Sequence, residues 1–190
     1  MPTLIAFSGS DRKESKNTQV LRHAVRAAEE AGVTVDHIRL SDYQLPLYDG
    51  DWEDENGLPE GCTRLKELFK PAAGFLIASP EYNSGYTPLL KNAIDWVSRP
   101  REGEKPLECF SGKVAGLVAA SPGWRAGMRG LFQIRSVLQN INVIVTPTIG
   151  TLANYTVTMN DKGDITDQTM QNVITQVGTE TAGLAKQLHL

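Results

Sequence analysis

Cysteine is scarce in this sequence: Cys62 and Cys109 are the only two among 190 residues. Two thiols cannot build a disulfide scaffold or a four-thiolate zinc site, so a reducing compartment is expected and the protein reads as cytoplasmic. Histidine is almost as rare. His23, His37 and His189 are scattered, with no helix-spaced pair, which argues against a metal site. Long hydrophobic runs are missing too. The longest, Ala72 to Ala78, falls far below the ~20 residues needed to span a bilayer. The N-terminus has no basic lead and passes from Leu4-Ile5-Ala6-Phe7 straight into polar residues, unlike a signal peptide. Charge of one sign is absent: 19 basic residues face 22 acidic ones, for a net charge of −3. No basic stripe appears, which excludes ordinary nucleic-acid binding. Three motifs are missing as well: the Gly-x-Gly-x-x-Gly fingerprint, the Gly-Lys-Ser/Thr ending of a P-loop and the Gly-x-Ser-x-Gly elbow. Their absence weakens dinucleotide-fold, ATP-binding and serine-hydrolase readings together.

What remains is an ordinary soluble composition, 41% hydrophobic and 22% charged. A chain of this length can bury roughly 70% of its unfolded surface without a staple. Residues 1–190 read as one domain.

Elements alternate along the chain. Thr3 to Phe7 is a short apolar run ending in Ser8-Gly9-Ser10, a buried strand meeting a turn. Asn17 to Ala31 has helical periodicity, with Val20, Leu21, Ala24, Val25 and Ala28 on one face and Gly32 as its stop. Val33 to Leu40, Ala73 to Ser79, Lys113 to Ser121 and Val143 to Thr146 read as further strands. Thr63 to Lys70, Thr87 to Ser98, Met128 to Asn140 and Gln168 to Leu188 read as helices, with Pro88 in the first turn of its helix. Most of the strands are continuously apolar, as in parallel sheets covered on both faces. Right-handed crossovers then leave few topologies. The expectation is an α/β, three-layer, doubly wound sheet of five parallel strands, flavodoxin-like, in the order 2-1-3-4-5.

Two stretches interrupt the alternation. Asp49 to Gly61 is rich in acids and reads as a solvated loop, with Trp52 as a lid or partner contact in the alternative. Pro100 to Gly112 reads as a charged surface loop. The helix at 87–98 is apolar nearly all round, which suggests that a partner subunit covers part of it.

In an open α/β sheet ligands bind beyond the carboxyl ends of the strands, at the switch in strand order. The loops of interest therefore follow the first, third and fourth strands. The first, from Ser8 to Thr18, leads into a helix N-terminus, where free N–H groups and the dipole favour phosphate. Ser10, Ser15, Asn17 and Thr18 supply donors and Arg12 a planar fork. The same residues fit an ordinary N-cap made by Ser15 or Asn17, and the loop alone does not choose between the two. The second loop, Ser79 to Tyr86, could offer backbone groups to the edge of a flat heterocycle, or be a plain turn. The third, Ser121 to Gly127, pairs Pro122 with Gly123, whose amides could face a ring that gains negative charge.

Read together, Gly9-Ser10-x-Arg12-x-x-Ser15-x-Asn17, Pro80-Glu81-Tyr82-Asn83 and Leu90-Lys91-Asn92-Ala93-Ile94-Asp95-Trp96 closely resemble the NAD(P)H-dependent FMN reductase family. Leu45-Pro46-Leu47-Tyr48-Asp49 also looks like the family's segment after its second strand, and the resemblance runs roughly from Thr3 to Gly150. It implies that Ser10, Arg12, Ser15, Asn17 and Thr18 hold the FMN phosphate. It implies that Pro80, Glu81, Tyr82 and Asn83 line the isoalloxazine, and that Ser121 and Gly123 complete the pocket. NADPH or NADH would be the co-substrate. A quinone, free flavin, azo compound or metal oxyanion would be the acceptor. Chemistry would run on flavin N5 with no catalytic side chain. It further implies a homodimer or homotetramer, with the helices at 87–98 and 128–140 at the interface. Trp124 and Arg125 stand where family members often carry glycines, which suggests a narrowed site. The rivals are a non-enzymatic flavodoxin-type electron carrier or flavin-binding module, and a nucleoside-processing transferase using Glu81 as nucleophile.

Overall fold

A computed structural model describes residues 1–188; His189 lies outside them. Five parallel strands form its sheet: β1 (Thr3–Ser8), β2 (Thr34–His37), β3 (Gly74–Ala78), β4 (Val114–Ala120) and β5 (Ile144–Leu152). Their order is β2-β1-β3-β4-β5, as expected. The helices are α1 (Lys16–Glu30), α2 (Gly50–Asn56), α3 (Glu60–Phe69), α4 (Pro88–Ser98), α5 (Met128–Asn140), α6 (Tyr155–Thr158) and α7 (Gln168–Leu188).

The apolar runs of the strands feed two cores, because alternate side chains leave opposite faces of a sheet. Leu4 and Ala6 of β1 join Val20, Leu21 and Ala24 of α1 and Ile174 and Val177 of α7 on one face. Ile5 and Phe7 join Leu65 and Phe69 of α3, Leu90 and Trp96 of α4 and Leu131 and Ile134 of α5 on the other. A Cβ on Gly178 would come within 2.1 Å of the Ala24 carbonyl oxygen, so only glycine lets α7 lie this close to α1.

Three expectations need correction. The acidic stretch after Asp49 is helical, as α2. Asp49 caps it by accepting from the N–H groups of Asp51 and Trp52. Trp52 sets its ring edge-on to Trp96 at 5.6 Å, a packing contact at the base of α4 rather than a lid. The loop at 100–112 is not all surface, since Cys109 and Phe110 are buried and Phe110 stacks into the Phe69–Phe75 cluster. Finally, α4 needs no partner to cover it. The segment after the 3-10 turn at Leu40–Tyr43 wraps its outer face, with Asn92 Nδ2 and Trp96 Nε1 both donating to the Pro46 carbonyl at 2.8 Å. Its apolar residues other than the half-buried Leu89 are thereby buried within the chain.

β5 also runs on past its expected end at Thr146. Its pairing with β4 shifts between Ala115↔Val145 and Leu117↔Ile149, and Pro147 sits inside that bulge, where its missing N–H costs no ladder bond.

Candidate functional site

The loops after β1, β3 and β4 meet over the strand ends and enclose a cleft of about 320 Å³. Ser10, Arg12, Ser15, Asn17, Pro80, Glu81, Tyr82 and Ser121 all line it. Thr18, Asn83 and Gly123 do not. Thr18 faces a neighbouring groove with Arg22, and Asn83 sits in the turn at the tip of its loop. The Gly123 N–H is engaged by Ser121 Oγ at 3.2 Å.

The first loop is pinned from below. Gly9 N–H donates to the Ala78 carbonyl at 2.8 Å, and a Cβ on Gly9 would meet Thr87 Oγ1 at 2.5 Å, so the chain can pass this close to α4 only as glycine. Ser15 is the N-cap of α1, with its hydroxyl accepting from Thr18 N–H at 3.2 Å. That bond occupies the Thr18 amide. The N–H groups of Lys16 and Asn17 belong to the first turn, which has no intrahelical acceptors. No acidic residue stands in that turn. A helix start lacking a carboxylate of its own presents the positive end of its dipole to the cleft, which Glu14, just before the cap, also lines.

Asn17 has a further task. Its Nδ2 donates to the Ala120 carbonyl at 3.0 Å, and its Oδ1 accepts from Ala120 N–H at 2.8 Å. This two-bond clamp ties the start of α1 to the end of β4 and fixes the width of the cleft. The side chain is therefore spent on architecture, and only the backbone of Asn17 remains for a ligand.

The second loop is held against α5. Tyr82 and Gly85 exchange backbone hydrogen bonds of 2.9 Å around a tight turn. Its central residues, Asn83 and Ser84, have φ of 50° and 72°. Positive φ at serine is strained, and Gln133 Nε2 braces the turn by donating to the Ser84 carbonyl at 3.0 Å. Glu81 caps α5. Its Oε2 accepts from Gly130 N–H at 3.1 Å, while Oε1 takes Nε of Arg129 at 3.0 Å and also its Nη2. Burial pushes the Glu81 carboxyl up, but the bonds from Arg129 and Gly130 outweigh it and hold the pKa below the usual carboxylate range. With both oxygens engaged, Glu81 is poorly placed to act as a nucleophile.

Trp124 does not narrow the cleft. It points away, 72% exposed, beneath the Arg125 guanidinium at 4.3 Å from its ring centroid. Tyr155 is the wall that sequence reasoning passed over. It follows β5 directly, at the start of α6, and its N–H reaches the Ser121 carbonyl at 3.3 Å. Its position after a strand end was the available signal.

The sequence profile of NADPH-dependent FMN reductases matches residues 2–156. The chain belongs to that family. Among its relatives, a probable NADPH:quinone oxidoreductase of Oryza sativa subsp. japonica is 38% identical over 134 residues, covering 70% of this chain and 62% of that protein. The chain thus spans less than two thirds of the rice protein's length. A quinone reductase of Escherichia coli (strain K12) is 34% identical over 142 residues, covering 75% of this chain and 72% of that protein. In structure, FerB of Paracoccus denitrificans, a flavoenzyme NAD(P)H:(acceptor) oxidoreductase, superposes with a TM-score of 0.81 over all of both chains at 23% identity. That likeness establishes the flavodoxin-like fold.

Proposed function

We propose that the protein is a single FMN-binding domain that oxidises NADPH or NADH and reduces a small acceptor, a quinone before a free flavin, an azo compound or a metal oxyanion. One observation carries this reading. The cleft has the N-terminal turn of α1, which carries no acidic residue, beside Arg12 at one end and the flat side chains of Pro80, Tyr82, Pro122 and Tyr155 at the other, as an anionic tail joined to a planar head requires; of the two carboxylates that line it, Glu81 is paired with Arg129 and Glu14 lies just before the cap of α1.

Bound FMN would supply the relay that accepts hydride and passes on two electrons. The chain's own residues do the rest. The N–H groups of Lys16 and Asn17, the Ser10 hydroxyl and the Arg12 guanidinium bind the phosphate. The Asn17–Ala120 clamp keeps that end of the cleft at fixed width. Pro80, Tyr82, Pro122 and Tyr155 flank the ring and shed water from it. Glu81 positions the second loop on α5 and takes no chemical part.

The test is optical. Purified protein should be yellow, or become so with added FMN, bleach anaerobically on NADPH, and recolour with a quinone. Protein that takes up no FMN defeats the reading; FMN uptake without NADPH turnover makes it a carrier.

Two copies of the chain would meet across α5, where Met128 and Phe132 are 44% and 55% exposed beside Trp124. The paired change Trp124→Ser and Phe132→Ser should shift the sedimentation of the wild-type oligomer toward monomer. No helix among the described residues is long and apolar enough to cross a membrane.

A further inference from the structure

A second cavity, of about 520 Å³, opens on the far side of the first loop, between α1 and the end of β2. Ser10 and Arg12 line both spaces, so the first loop is the wall between them. The other walls carry Lys13, Arg22, His37 and Arg39, with Asp11 as the one carboxylate. None of Arg12, Lys13, Arg22 and Arg39 makes an ion pair among the described residues, and none of their side chains donates a hydrogen bond to another protein group there. Arg99, Arg101 and Arg129 each hold a glutamate, whereas these four cations hold none and share one groove. The groove therefore keeps unspent guanidinium forks facing a space large enough for a phosphorylated ribose. Desolvation and the charge of Arg22 both push the His37 pKa down, so His37 favours its neutral form and can offer a ring nitrogen as acceptor.

We propose that this groove binds the 2'-phosphate of NADPH, with Arg22 and Arg39 as its forks, and so makes the protein prefer NADPH to NADH. The inference rests on the flavin reading above, because the groove matters to turnover only if nicotinamide reaches a flavin in the adjoining cleft. Three arguments favour it. A phosphomonoester dianion suits planar, paired donors better than a carboxylate or a neutral hydroxyl. The groove gathers Arg12, Lys13, Arg22 and Arg39 around a single carboxylate, a net positive charge that favours a phosphate dianion over the neutral hydroxyl NADH has in its place. The groove also adjoins the phosphate end of the FMN cleft, and an extended dinucleotide lying over a flavin outreaches it.

The experiment uses the FMN-loaded protein and the double variant R22Q/R39Q. Both changes are at exposed positions outside the FMN cradle. Calorimetry compares adenosine 2',5'-bisphosphate, adenosine 5'-monophosphate and inorganic phosphate; steady-state kinetics compares KM for NADPH and NADH. The wild type should bind the bisphosphate about tenfold or more tightly than the monophosphate, the worth of one charge-assisted pair. The variant should lose that difference and raise KM for NADPH by a similar factor, with KM for NADH unmoved. Equal binding of the two nucleotides overturns the proposal, as does a parallel rise in both KM values. Inorganic phosphate competing as well as the bisphosphate also overturns it, making the groove a general anion site. If the protein takes up no FMN, the flavin reading fails separately, and the nucleotide comparison on the same protein still decides the groove.

Discussion

The two ends of the sheet treat positive charge in opposite ways. At the amino ends of β3 and β4, cations are buried and spent. Lys66, 2% exposed, pairs with Glu104 at 2.8 Å and also donates to the carbonyls of Val97 and Arg99. Lys70 and Arg101 converge on the same glutamate, and buried Lys113 donates to the carbonyls of Lys70 and Ala72. At the carboxyl ends, Arg12, Lys13, Arg22 and Arg39 stand exposed, with no ion-pair partner among the described residues. A charge answered from within fixes the loop at 99–113 to α3 and serves structure. A charge left unanswered beside a cleft is available to a ligand. The difference between architecture and binding lies in the partners and not in the residue type.

The sharpest way to break the comparison is at Glu104. Glu104→Ala would leave Lys66 buried with only carbonyl partners. Removing one member of a buried pair costs about 3–5 kcal/mol, and those carbonyls put the expected loss at the lower end. Urea unfolding measures it, with FMN affinity unchanged. Burial raises the Glu104 carboxyl, but bonds from Lys66, Lys70 and Arg101 outweigh it and hold its pKa far below the ordinary 4.5. A carboxyl depressed in the folded state contributes its stability in full above the unfolded pKa. That contribution drains away as pH falls below about 4.5 toward the folded value. Glu104→Gln should therefore narrow its deficit against wild type on acidification. A deficit independent of pH would show that the carboxylate charge is not what holds the loop.

Next in size is Asn17→Ala. It removes both bonds to Ala120 and leaves a buried N–H and carbonyl unpaired, at about 1–3 kcal/mol for an unsatisfied buried group. Because the clamp sets the cleft width, FMN affinity by fluorescence titration should fall along with stability. Stability lost with FMN affinity intact would make the clamp structural only.

This clamp also marks where the sequence stops being legible. The sheet order could be read because β1, β3 and β4 are apolar on both faces, a pattern that composition alone displays. The loops of the site could be placed because strand ends fix them. Which atoms in those loops remain free could not be read. Asn17 looks like a ligand donor until Ala120 takes both its polar atoms, and the Gly123 amide looks free until Ser121 takes it. α2 escaped because four acids in seven residues, with a fifth at its cap, mask a helix held by that cap, by the Trp52–Trp96 contact and by the bonds of Glu53 to Tyr48 and Arg99. The cations around β2 are scattered from Arg12 to Arg39, and no local pattern unites them before the chain folds.

Glu81→Gln tests the middle ground, a charge spent on positioning near the site. The amide keeps an acceptor for Gly130 N–H but weakens the Arg129 pair, which lies half-exposed. Stability should drop by about 1 kcal/mol or less, as for a surface pair. NADPH–quinone turnover should stay within about twofold of wild type, which is under 0.5 kcal/mol of barrier. Abolished turnover would instead show that Glu81 takes a part in the reaction beyond holding the second loop.

Salt is the gentlest lever and separates the two ends in one protein. At about 0.15 M the screening length is about 8 Å, so exposed cations lose reach while buried pairs lose little. With FMN saturating, raising ionic strength should raise KM for NADPH by a few-fold and KM for NADH by less, since NADH lacks the extra phosphate that the groove would hold. The unfolding free energy contributed by Glu104, taken as wild type minus Glu104→Gln, should barely move over the same range. If the two KM values climbed together, the screened charge would be one that both nucleotides share, their diphosphate. The groove at β2 would then contribute nothing to the choice between them.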